Sequence, residues 1–320
     1  MAEDNGDSSG GEESHEIKGL QRCYRAAHQG AGRTDRNDAI HPIVLLVSGL
    51  EERTASTGLG ELVSTGGIVT DATATLSTQR EPALLGQTVV VIGGSSGIGL
   101  ETARRARGEG ASVILTGRNP GRLEQAAREL DAQRTAAFDV NDSASLQSFF
   151  QALSTPIDHV MVTAGAPHYG PPLKMPVEEA RRGFSQRLLL ALAVARGAAD
   201  KVRPAGSLVF MTGTDLRRPR VGLAVESTAA VAIPTLIANL ALELAPIRVN
   251  LIAAGFVDTP LSASILGDHL DKRRDELRAT LPIRRVVGPA DIAALAVHIM
   301  SNTAITGATY DIDGGQQLIS

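Results

Sequence analysis

The run Gly93-Gly94-Ser95-Ser96-Gly97-Ile98-Gly99 joins residue types suited to one kind of chemistry. Glycines let the chain turn sharply and bring backbone N–H groups against a pyrophosphate, and a helix starting there adds positive partial charge. A glycine cluster alone could equally be a structural turn. Here Thr88 to Ile92 (TVVVI) reads as a buried strand before it and Gly99 to Gly108 as a helix after it, the context a dinucleotide site requires. The next apolar run ends Leu115-Thr116-Gly117-Arg118-Asn119. An acidic side chain at this point would accept hydrogen bonds from both ribose hydroxyls of NAD. Gly117 leaves that place empty and Arg118 can meet a 2′-phosphate, so NADP(H) is expected over NAD(H), with an ordinary surface charge as the other reading of Arg118.

Positioning such a loop takes alternating strands and helices. Beyond the first pair, Ser112 to Thr116 reads as a strand and Arg122 to Leu130 as a helix. Further strands are expected at Thr135 to Phe138, His159 to Thr163, Ser207 to Thr212, Arg248 to Ile252 and Ala308 to Ile312, and Ala224 to Leu244 reads as a long apolar helix. Strands that alternate with helices pair in parallel through right-handed crossovers. The fold class is therefore α/β, a Rossmann-type doubly wound parallel sheet forming one domain over residues 86–320.

Residues 1–85 have a different texture. They are rich in Gly, Ser and Thr, carry 13 acidic against 7 basic residues, and show no sustained period, so a disordered or weakly structured extension is expected. A partner-binding tail is the alternative.

Composition excludes several functions. In 320 residues with 43% hydrophobic content, the formal charge of −4 and scattered basic residues give no footprint for nucleic acid. The single cysteine, Cys23, rules out an intramolecular disulfide, and no histidines stand at zinc-ligand spacing, so no metal is expected. The early apolar run Ile43 to Val47 is far short of a bilayer span, and the acidic start lacks the character of a secretory or transit signal. A cytoplasmic protein without membrane attachment is the expectation.

Taken together, these residues resemble the short-chain dehydrogenase/reductase family over 87–320. The likeness rests on the GGSSGIG loop, Phe138-Asp139-Val140, Thr163-Ala164-Gly165, the segment LALELAPIRVN over 240–250, Ala254-Gly255-Phe256-Val257-Asp258-Thr259, Thr306-Gly307 and Asp311-Ile312-Asp313-Gly314-Gly315. The resemblance implies an oxidoreductase. It places Gly93, Ser95, Ser96, Gly97, Ile98 and Gly99 at the cofactor phosphates and Arg118 at the 2′-phosphate. Asp139 and Val140 fall at the adenine, Ala164 and Gly165 at the nicotinamide ribose, and Val257 and Thr259 at the carboxamide. It also implies a homodimer or homotetramer, with residues 260–287 as a substrate lid. The substrate itself is not legible.

The family's catalytic set is replaced. Counting back from the LALELAP segment puts Glu226 at the tyrosine position, Ala230 at the lysine position and Gly213 at the serine position, and Arg187 stands at the asparagine position. The chain's tyrosines, Tyr24, Tyr169 and Tyr310, have no lysine four residues on, so no shift of register restores the motif. Substitute chemistry would use Glu226 as acid or base, Arg187 as charge toward a developing alkoxide, and Thr212 or Thr214 as a hydroxyl. His168 and Tyr169 could enter from the substrate side. Alternatively, Glu226 and Arg187 form a structural salt bridge in a silent NADP(H)-binding sensor or a structural subunit.

Overall fold

A computed structural model of the chain describes residues 81–154, 156–165 and 167–319. The expected N-terminal extension lies outside the described residues up to position 80. Its expected limit at 85 falls a few residues late: Leu84 is fully buried against the sheet, and its N–H donates to the Glu109 carbonyl at 2.9 Å.

Seven strands form one parallel sheet in the order β3-β2-β1-β4-β5-β6-β7. They are β1 (Thr88–Ile92), β2 (Ser112–Gly117), β3 (Arg134–Ala137), β4 (Ile157–Val162), β5 (Val202–Gly213), β6 (Arg248–Ala254) and β7 (Thr309–Ile312). The helices are α1 (Gly97–Gly108), α2 (Pro120–Leu130), α3 (Ser143–Gln151), α4 (Val177–Ala198), α5 (Ala224–Glu243), α6 (Pro260–Leu266), α7 (Leu270–Thr280) and α8 (Pro289–Ser301). Every expected strand is present, as are the helices expected at 99–108, 122–130 and 224–244.

Two apolar layers sandwich the sheet. Val90 and Ile92 point into one with Phe149, Phe150, Val194, Ile233 and Ile237, from α3, α4 and α5. Val89 and Val91 point into the other with Ala103, Leu123, Ile292 and Met300, from α1, α2 and α8. Because both faces are covered, the central strands read as continuous apolar runs instead of alternating ones. Each fully buried Val, Leu or Ile contributes about 1.5–3 kcal/mol through removal from water. Helix α5 is long and apolar enough to cross a membrane by length and composition, yet Val225, Ala229, Ile233, Ile237 and Leu240 are core residues of this domain.

Polar groups buried at the lower edge of the sheet fix strand register. Arg248 of β6 is 5% exposed and, among the described residues, forms no ion pair with a carboxylate. Its guanidinium donates instead to backbone carbonyls of Ala205 (3.1 Å), Ile299 (2.7 Å), Met300 (2.7 Å), Asn302 (3.1 Å) and Ile305 (3.1 Å). Those of Ile299 and Met300 belong to the last turn of α8, where carbonyls lack intrahelical partners and a cation is favoured by the helix dipole. Nearby, His159 sits between Ser207 Oγ (2.9 Å from Nδ1) and Gln87 Oε1 (2.6 Å from Nε2). Burial, reinforced by the Arg248 charge and only partly opposed by Asp158, lowers its pKa to about 4.

This depression has a definite sign. Between pH 6.5 and about 4 the unfolded chain binds a proton at His159 that the folded chain refuses, so stability falls as pH falls through that window. The slope is about 1.4 kcal/mol per pH unit from this group. Urea unfolding at pH 7 and pH 5 should show the loss, and His159→Gln should flatten it. An unchanged pH dependence in that variant would refute the assignment.

Candidate active site

The turn joining β1 to α1 is held by backbone on both sides. Gly93 N–H and Gly94 N–H donate to the Thr116 carbonyl of β2 (3.1 and 2.9 Å), while the Thr163 hydroxyl just past β4 donates to the Ile92 and Gly93 carbonyls (3.3 and 3.2 Å). The packing leaves no room for side chains. A Cβ at Gly99 would lie 2.2 Å from the Gly93 carbonyl oxygen, and Gly93 itself has φ +97°, which favours glycine. Ser96 precedes the first turn of α1 without a side-chain cap, so the helix start is left open to an anion.

At the end of β2, a Cβ on Gly117 would come within 2.9 Å of Ser95 Oγ, so a larger residue there would crowd the turn. Arg118 is exposed, and Arg122 joins it one helical turn on, its backbone N–H capped by the Asn119 side chain (2.9 Å). The paired cations suit a phosphate monoester. Arg122 escaped the sequence argument, although its spacing of four residues from Arg118 was the available signal. Asp139 accepts from Asn141 N–H and Nδ2 (both 3.0 Å), which fixes its carboxylate, and Val140 is buried beneath.

On the far side, the Thr259 hydroxyl accepts from Ser262 N–H (3.2 Å) as the cap of α6, and Ser262 Oγ donates to the Val257 carbonyl (2.5 Å). Arg274 of α7 grips both oxygens of Asp258 (2.9 and 2.7 Å), which anchors α7 to the segment carrying Val257 and Thr259. These hydrogen bonds hold the Arg274 pKa above its ordinary value.

These parts bound one cleft of about 610 Å³. Gly93, Ser95, Ser96, Gly97, Ile98, Gly99, Arg118, Asp139, Val140, Ala164, Gly165, Val257 and Thr259 all line it, as do Arg187 and Thr212. Its place, above the ends of β1 and β4 where strand order reverses, is where open α/β sheets bind ligands. The cradle of glycines, the open helix start and the two arginines fit a dinucleotide phosphate.

The four catalytic candidates separate. Glu226, at the start of α5, is 2% exposed and lines a side cavity of about 20 Å³ beside Ala164 and Gly165. One carboxylate oxygen accepts from His168 N–H (2.6 Å), the other from Arg187 Nη2 (3.1 Å). The Thr214 hydroxyl donates to Asp313 Oδ2 (3.0 Å), and Thr214 is not among the residues that line the cleft. Arg187 borders both spaces, with Nη1 donating to the Met211 carbonyl (3.3 Å) and a buried Nε that has no partner among the described residues. Thr212 is 7% exposed, and its hydroxyl too has no partner among the described residues. Among the described residues, no group of His, Cys, Asp and Glu could hold a metal ion.

The family model described as enoyl-(acyl carrier protein) reductase matches residues 92–317. Similar proteins include the short-chain dehydrogenase/reductase ATR9 of Stachybotrys chlorohalonatus, 30% identical over 257 residues that cover 73% of this chain and 98% of the relative. Another is the short-chain dehydrogenase/reductase malC of Malbranchea aurantiaca, 28% identical and covering 75% and 98%. The solved MalC reductase/Diels-Alderase from Malbranchea aurantiaca superposes with a TM-score of 0.70 at 26% identity, over 74% of this chain and 99% of that one. A small-chain dehydrogenase in complex with NADPH superposes with a TM-score of 0.62 at 28% identity, over 72% and 99%. The match thus runs unbroken from the last residue of β1 past β7, through the glycine turn and the switch-point cleft, and the chain belongs to the short-chain dehydrogenase/reductase family.

Proposed function

We propose that the protein is an NADP(H)-dependent oxidoreductase acting on a carbonyl or alcohol substrate through a substituted active site, in the cytoplasm. The observation that carries this reading is the convergence of every expected cofactor residue on one cleft that also receives Arg187 and Thr212. A bound nicotinamide would supply or accept the hydride. The chain's own part is positioning and charge stabilisation. Arg187 borders the cleft and is compensated by Glu226, so negative charge growing on a substrate oxygen would meet a fixed cation. The partnerless Thr212 hydroxyl is a second donor on that wall. Arg118 with Arg122, and the NADPH-bound relative, support NADP(H) over NAD(H).

One observation favours a second reading, a silent NADP(H)-binding sensor. Glu226 stands at the tyrosine position and does not reach the cleft, so that position delivers no proton. Losing acid–base help costs roughly 10²–10⁴-fold in rate, which slows hydride transfer without preventing it.

Calorimetric titration should find NADPH binding at least about tenfold tighter than NADH, and Arg118→Ala should remove most of that difference. Equal affinities would overturn the cofactor preference. With NADPH bound, oxidation of the cofactor should follow addition of a ketone or aldehyde, and Arg187→Met should lower kcat by about 10²-fold or more. Binding without turnover across a broad carbonyl panel would favour the sensor.

We also propose that the working species is a homodimer or homotetramer. Phe184, Leu189 and Leu192 of α4 and Val231 and Leu242 of α5 are exposed on two helices that pack together, an apolar face that a second copy would cover. Mass photometry should show an assembly that Leu189→Glu with Leu192→Glu breaks into monomers. A wild-type monomer at micromolar concentration would refute this.

A further inference from the structure

Charge is unevenly spread along the cleft. Among the described residues that line it, Arg118, Arg122 and Asp139 carry the charge beyond β2 and β3, and Arg187 alone carries it around the ends of β4 to β6. Arg187 reaches the end of β5, where Nη1 donates to the Met211 carbonyl (3.3 Å). Its charge is already matched. Nη2 donates to Glu226 Oε2 (3.1 Å), on a carboxylate that is 3% exposed and is not among the residues lining the cleft.

Apolar residues supply much of the remaining wall at this end: Pro167, Met211, Leu216, Val257, Pro260 and Leu261. The hydroxyls of Thr163, Ser262 and Ser264 donate to backbone carbonyls, while that of Thr212 has no partner among the described residues. Leu261 is 50% exposed, and Ile265, one turn further along α6, is 47% exposed, so the apolar wall continues outward from the cleft. A carboxylate arriving here would be a second anion on one guanidinium. It would give up its hydration without meeting another cation. An uncharged carbonyl has no such cost, and its hydrocarbon body would take the exposed apolar surface out of water. Its oxygen gains charge only as the hydride arrives, when donors of Arg187 and Thr212 can meet it.

We propose that this end of the cleft selects uncharged, largely apolar carbonyls and alcohols over carboxylate-bearing ones, and that buried Glu226 sets the selection by neutralising Arg187. The proposal takes its ligand class from the oxidoreductase reading, on which it rests. Glu226 is then a specificity-determining residue that acts through Arg187 and touches no substrate. Leu261 and Ile265 extend the apolar contact to the part of the substrate that leaves the cleft along α6.

The test uses the full chain with NADPH bound and three aldehydes that differ only in the para substituent: para-tolualdehyde, para-formylbenzoate and para-hexylbenzaldehyde. Aldehyde affinity is read by calorimetry and turnover by NADPH oxidation, in wild type, Glu226→Gln and Leu261→Asp, with melting temperature and NADPH affinity measured for each. Wild type should bind para-tolualdehyde about 10²-fold more tightly than para-formylbenzoate. Lengthening methyl to hexyl should add about tenfold. Glu226→Gln keeps an acceptor for His168 N–H and removes the charge, so it should shrink the first ratio at least about tenfold, whereas a merely structural loss would weaken both aldehydes alike. Leu261→Asp, at a half-exposed position, should abolish the hexyl gain and tests the apolar wall independently of whether Glu226→Gln folds. Equal wild-type affinities for para-tolualdehyde and para-formylbenzoate, or a ratio unmoved in folded Glu226→Gln, would overturn the proposal, and NADPH oxidation by either aldehyde would leave the oxidoreductase reading standing. The expected preference in binding with no oxidation on these or a wider panel would overturn that reading and uphold the charge selection. Binding of none of the three would overturn the proposal.

Discussion

Backbone contact at the end of β1 governs the geometry above the sheet. Gly93 and Gly99 sit so close to one another and to Thr163 that neither tolerates a Cβ. That proximity seats α1 directly over the strand ends and turns its open N-terminus to the cleft. The Thr163 hydroxyl then ties the end of β4 to the same turn, which fixes Ala164 and Gly165 beside it. Strand order reverses at this seam, so the loops after β1 and β4 diverge to opposite faces and leave space between them.

The second organising contact is the ion pair of Arg187 and Glu226. Taking a carboxylate to 3% side-chain exposure would ordinarily carry a large desolvation cost, here offset by hydrogen bonds from Arg187 Nη2 and His168 N–H. Breaking such a pair from one side typically costs about 3–5 kcal/mol because a buried charge is left alone. The pair therefore joins α4, α5 and the loop after β4 into one unit. Its polarity matters too: the cation borders the cleft and the anion stands behind it. The Glu226 carboxylate is turned inward, onto His168 N–H and Arg187.

Much of this was legible in the residues themselves. The strand TVVVI, the glycine turn after it and the cation at 118 are local patterns whose meaning depends only on neighbouring positions, and they recur in the structure at the expected residues. Element ends were less legible. Val202 to Gly206 extend β5 well before Ser207 through an irregular register against β4, with Ala205 at φ +64°, because Ala205 N–H donates to the Pro246 carbonyl and its own carbonyl accepts from Arg248. Both partners are more than forty positions away, and no local period records them.

By itself, then, the sequence determined the α/β order, the glycine turn, the cation at position 118 and the lack of any tyrosine with a lysine four residues on. Each follows from residue type and spacing along the chain. Only tertiary structure decided which substitutes face the cleft. Glu226, Thr212 and Thr214 look alike as candidates in a string, but burial and partners divide them: Glu226 is consumed by Arg187 and His168, Thr214 by Asp313, and Thr212 keeps a hydroxyl with no partner. The physical reason is that a side chain's chemistry depends on which neighbours claim its hydrogen bonds, and those neighbours come from other elements of the fold.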